Sequence, residues 1–215
     1  MKKLLPLFLL ILMGCSEPEP INYDLLIERD KIHYQKYTNE IFSGPVFNIS
    51  GKSEGYIKNG KFHGEFKFYH SNGQLKGIGS YKYEYGSNLG TSQGDDGINW
   101  TGRIGLWKFY HENGRLEKEM SYNKKNDRHG PYKYYYLNGQ IRDWKNYNNG
   151  RPIGPFKSYH PNGQIKKIGT YKNGKLDGPF KDYHENGQLL TEGTYNNNKI
   201  VGPYKNYFEN GLLSY

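Results

Sequence analysis

The chain is poor in what would build a thick or reactive interior. Cysteine occurs once in 215 residues, at Cys15, so no disulfide can close within it. Tryptophan and methionine occur three times each, and aliphatic residues are scarce. The longest apolar run, Leu4 to Met13, is too short to cross a hydrocarbon layer of about 30 Å. No nucleophile elbow, His-Glu-x-x-His pair, phosphate-binding loop or Cys–His pair is present. The expectation is therefore a protein that is not an enzyme, with no cofactor and no metal.

What is abundant is tyrosine (22) and glycine (28), which favour strands and tight turns respectively. The 30 basic and 21 acidic residues leave a formal charge of +9. Such a surface favours anionic partners or simply confers solubility.

Asn-Gly recurs at Asn72-Gly73, Asn113-Gly114, Asn138-Gly139, Asn162-Gly163, Asn186-Gly187 and Asn210-Gly211, the last four 24 residues apart. Counting from each Asn, position −8 is Gly (64, 105, 130, 154, 178, 202) and −6 is aromatic (Phe66, Trp107, Tyr132, Phe156, Phe180, Tyr204). Position −5 is always Lys (Lys67, Lys108, Lys133, Lys157, Lys181, Lys205), and −3 is always Tyr (Tyr69, Tyr110, Tyr135, Tyr159, Tyr183, Tyr207). Position +3 is aliphatic (Leu75, Leu116, Ile141, Ile165, Leu189, Leu213), and +9 is Tyr (Tyr81, Tyr122, Tyr147, Tyr171, Tyr195). Asn-Gly between strand-like runs signals a hairpin with a two-residue type I′ turn. That turn would pair −2 with +3. Positions −6, −2, +3 and +9 would then share one packed face, with Lys −5 and Tyr −3 on the other. Second turns, as at Asn149-Gly150 and Asn173-Gly174, join successive hairpins.

The expected fold is all-β: an elongated meander of about seven tandem antiparallel β-hairpin repeats, about 24 residues each. Units such as Gly178-Pro179-Phe180-Lys181-Asp182-Tyr183-His184-Glu185-Asn186-Gly187-Gln188-Leu189, followed by Gly193-Thr194-Tyr195, resemble the MORN-repeat variant of bacterial proteins. Some members of that family are described as antitoxin components. The resemblance, over about residues 24–215, implies a scaffold or binding surface.

Met1-Lys2-Lys3, the apolar run and Leu12-Met13-Gly14-Cys15 resemble a lipoprotein signal, which implies cleavage before Cys15 and lipidation of its sulfur. The expected organisation is a signal peptide at 1–14, a lipidated Cys15 and tether at 15–23, an N-terminal cap hairpin at 24–43, and the array at 44–215. A 17-residue insertion falls at about 83–104, where Asp95-Asp96 offers too few oxygens for a calcium loop. The expected location is the cell envelope of a Gram-negative-type bacterium, anchored to the outer or inner membrane through Cys15.

His70, His111, His160 and His184 share position −2 with Tyr136 and Phe208, which favours aromatic packing over metal ligation. The low-specificity candidate site is the strip of Lys −5 and Tyr −3. Two readings stand: a non-catalytic scaffold binding a protein, antitoxin- or immunity-like with a toxin as partner, or a module binding anionic lipid headgroups or polysaccharide. Nucleic acid is not expected.

Overall fold

A computed structural model describes residues 18–30, 32–48, 53–82 and 102–214. Cys15, the rest of the leader and most of the insertion lie outside these residues. The strands are β1 (Ile21–Asn22), β2 (Leu26–Arg29), β3 (Ile32–Gln35), β4 (Gly44–Phe47), β5 (Ser53–Lys58), β6 (Lys61–Tyr69), β7 (Leu75–Lys82), β8 (Arg103–Tyr110) and β9 (Leu116–Tyr122). They continue as β10 (Arg128–Tyr135), β11 (Ile141–Asn148), β12 (Arg151–Tyr159), β13 (Ile165–Lys172), β14 (Lys175–Leu176), β15 (Gly178–Tyr183), β16 (Leu189–Asn196), β17 (Lys199–Tyr207) and β18 (Leu213–Ser214). From β4 onward, sequence neighbours pair antiparallel in one long sheet, with β14 set beside β13. At its start β1 joins β4 in parallel, a pairing that nothing in the repeat pattern announces. Hairpin β2–β3 forms a separate two-stranded sheet and contributes Leu26 to the core cluster.

The Asn-Gly turns correct the expected register. Gly73 N–H donates to His70 O (2.9 Å) and His70 N–H to Gln74 O (2.8 Å), and the other five copies repeat the pattern. Each is a three-residue loop with only the glycine at positive φ, +78° to +88°. That is a type I turn with a glycine bulge rather than a two-residue type I′ turn. The extra loop residue pairs Tyr −3 with aliphatic +3, as in Tyr159–Ile165 and Tyr183–Leu189. Position +3 therefore belongs to the lysine face, and −2 flanks the loop, its N–H bonded to the +2 carbonyl. The type I′ geometry falls instead at the second turns. Asn149-Gly150, Asn173-Gly174 and Asn197-Asn198 carry positive φ at both residues. Between β9 and β10 a three-residue loop closes on Asn126 (φ +66°), which accounts for the one 25-residue spacing.

Both turn columns are stitched to the next copy. Asn162 Oδ1 accepts from Gln164 N–H (3.0 Å), closing its own turn, while its Nδ2 donates to Glu185 O (2.8 Å). Asn72, Asn138 and Asn186 do the same. His70, His160 and His184 each spend Nε2–H on the carbonyl of the following Tyr −3, and Tyr136 does so with its hydroxyl. The acceptor is a carbonyl, which assigns the ring proton to Nε2. Four of the six −2 residues thus tie one repeat to the next, while His111 Nε2 is buried without a hydrogen-bond partner among the described residues.

The −6 aromatics and +9 tyrosines do share the packed face. Tyr81 meets Phe66 and Trp107 edge-on at 5.2 and 5.0 Å, and Phe156–Tyr171 and Phe180–Tyr195 continue the column at 4.8 and 4.4 Å. In three copies glycine at +7, at Gly79, Gly169 and Gly193, makes room for them. A Cβ on Gly169 would lie 2.7 Å from the Phe156 ring, and one on Gly193 2.9 Å from that of Phe180. Arg103 and Ile104, expected at the end of the insertion, are instead part of β8. Arg103 is fully buried, with its guanidinium 4.6 Å from the Trp107 ring centre and Nη1 donating to Tyr122 Oη (3.1 Å).

Candidate binding face

Strand alternation and the corrected register place the lysines on the face opposite the aromatic core. They stand in a single transverse row. Cross-strand pairing runs Glu54–Lys67–Ile78–Lys108–Glu119–Lys133 and then Trp144–Lys157–Ile168–Lys181–Glu192–Lys205, with Lys133 directly opposite Trp144. Every second residue is a lysine because one repeat is two strands. The residues between them all sit at +6, a position the repeat alignment leaves variable. That row brings the six candidate lysines together, and the tyrosines at −3 form a second row beside it.

The +6 residue decides what each lysine meets. Glu54 takes Lys67 Nζ at 3.1 Å and the Tyr69 O–H at 2.6 Å. Glu119 faces Lys108 and Lys133 at 3.9 and 3.8 Å and accepts from Tyr135 Oη at 2.8 Å. Glu192 faces Lys181 and Lys205, each at 3.6 Å, and accepts from Tyr207 Oη at 2.9 Å. These are three copies of one Lys–Glu–Tyr cluster. Hydrogen bonds from Tyr69 and Lys67 hold the Glu54 carboxyl below the usual carboxylate range, and Tyr207 does the same for Glu192. Burial first, then the hydrogen bond to the carboxylate, pushes Tyr69 and Tyr135 up to about 12. Exposed pairs of this kind contribute under about 1 kcal/mol each, so their main effect is to orient side chains.

Where +6 is apolar, the cluster is incomplete. Lys157 lies between Trp144 and Ile168, is exposed, and has no ion pair among the described residues. The hydroxyls of Tyr159 and Tyr183 likewise have no hydrogen-bond partner among the described residues. Among the described residues the heads of five of these lysines turn to carboxylates, and the cation–π contacts belong to other side chains, such as Lys145 over Tyr132 at 5.2 Å. The +6 glutamates and Trp144 are what sequence reasoning missed. Their signal is there: in an array of nearly invariant positions, +6 is either acidic or apolar.

No curated protein matches the chain. A protein-family model, the MORN repeat variant, matches residues 62–83, 103–124, 128–149, 152–173 and 176–197. Each match is one hairpin closed by a three-residue loop, and the last four end within the turn that leads to the next hairpin. Five such units in the one sheet place the chain in the MORN repeat variant family.

Proposed function

We propose that the protein is a lipid-anchored scaffold without a catalytic role, docking a protein partner on its lysine–tyrosine face in the manner of an antitoxin or immunity protein. The array itself is a repeat scaffold, as the family and the continuous sheet establish. The observation that carries the docking reading is the transverse row, which presents six lysines and six tyrosines at fixed intervals on the face opposite the core. Interleaved glutamates weigh against the second reading, binding of anionic lipid or polysaccharide. Five of the six lysines already face a carboxylate, and like charges would repel a polyanion. The lipobox-like Leu12-Met13-Gly14-Cys15 supports anchoring through Cys15 and, with it, a location in the cell envelope.

The test replaces Lys133, Lys157, Lys181 and Lys205 together with Gln in the full-length chain. The protein-docking reading expects weak binding of anionic vesicles and polysaccharide by the wild type, little changed by the substitutions. It also expects loss of a co-purifying envelope protein in the variant. Steep, salt-dependent vesicle or polysaccharide binding that the four changes abolish would instead establish the alternative.

A further inference from the structure

We infer that the stretch of the row around Lys157 is a docking site for a carboxylate side chain of an acidic protein segment that also carries an apolar residue. This rests on the protein-docking reading above and narrows it to one place and one chemistry. The protein itself shows what the site takes. In the clusters around Glu54, Glu119 and Glu192, one carboxylate between two ladder strands accepts a tyrosine O–H and faces the ammonium of the same repeat. Lys157 and Tyr159 stand at the same two repeat positions as Lys133 and Tyr135, but their +6 neighbour is Trp144 rather than a glutamate. Ile168, on the other flank of Lys157, repeats the substitution. Lys157 is thus the one ladder lysine with an apolar residue on both sides.

A carboxylate arriving from outside would take the Tyr159 O–H and the Lys157 ammonium, as Glu119 takes those of Tyr135 and Lys133. Its neighbouring apolar side chain would cover Trp144 or Ile168, which are half-buried and so keep part of their surface open to solvent among the described residues. A phosphate headgroup satisfies the charge but has no use for the apolar flanks. For that reason the assignment is to a protein segment.

The probe is a fluorescent peptide of alternating Glu and Leu, titrated into detergent-solubilised full-length protein, with anionic phospholipid vesicles as a second arm. Lys157→Gln is expected to weaken peptide binding about tenfold, and Tyr159→Phe a few-fold, since it removes only the O–H. Trp144→Glu supplies the carboxylate from within at a position that holds glutamate in three other strands, and is expected to abolish binding with the near-ultraviolet circular dichroism band shape otherwise retained. Lys67→Gln, at a lysine already paired with Glu54, is expected to change affinity less than about twofold. Equal losses from Lys67→Gln and Lys157→Gln would overturn the assignment while leaving protein docking on the face intact. Absence of saturable peptide binding would overturn it too, as would vesicle binding that depends on Lys157 and displaces the peptide.

Discussion

Two glycines with the same backbone angle separate conformation from packing. Gly139 and Gly187 both close Asn-Gly loops at positive φ, +88° and +83°. A Cβ on Gly139 meets nothing within 4 Å, whereas one on Gly187 would lie 2.7 Å from Gln164 Oε1 of the preceding repeat. Gly139→Ala should lose the left-handed cost alone, about 1–2 kcal/mol, and Gly187→Ala more, because Gln164 must also move. Denaturant midpoints of the two variants check this, and equal losses would remove the inter-repeat contact from the explanation. The tyrosines of the Lys–Glu–Tyr clusters give a pH signature. Tyr69 and Tyr135 ionise near 12 when folded against an ordinary value of 10.0. The folded state thus favours their protonated form. That stability is fully present below pH 10 and lost as pH rises towards 12. Glu54 shifts the opposite way, so its contribution is lost as pH falls below about 4.5. Ultraviolet titration should show a late-ionising tyrosine class that Glu119→Gln makes smaller.

At the scale of the hairpin, the sequence carried the period, the strand order and the two faces, because a 24-residue repeat with invariant aromatics leaves little freedom. It did not carry the loop type. Asn-Gly serves both a two-residue type I′ turn and a three-residue loop with a glycine bulge, and both occur here in one chain. The difference is one residue, and it moved Leu75, Ile165 and their counterparts to the other face. The binding row was half legible: the lysines declared themselves by invariance, but their partners at +6 vary and emerge only once the register is known. The parallel β1–β4 pair lies outside the repeat and had no sequence signal. Because the register repeats between type I′ turns, removing residues 151–174 should join Gly150 to Lys175 and keep every cross-strand row aligned. The shortened protein should fold cooperatively at lower stability. Removing half that length should put aromatics on the lysine face and abolish cooperative unfolding.

Cys15→Ser should move the whole protein out of the membrane fraction and end its labelling by a fatty-acid probe, since the proposed thioether lipid needs that sulfur. Unchanged fractionation would remove the anchor. Docking of a partner on the lysine–tyrosine face around Lys157 is open to site-specific photo-crosslinking in intact cells. A photoreactive residue is placed at Tyr183 on that face, and in a second strain at Leu137, an exposed loop residue. One discrete protein adduct is expected from position 183, none from 137, and loss of the adduct when Trp144→Glu is added. Equal adducts from both positions, or an adduct that survives Trp144→Glu, would contradict it.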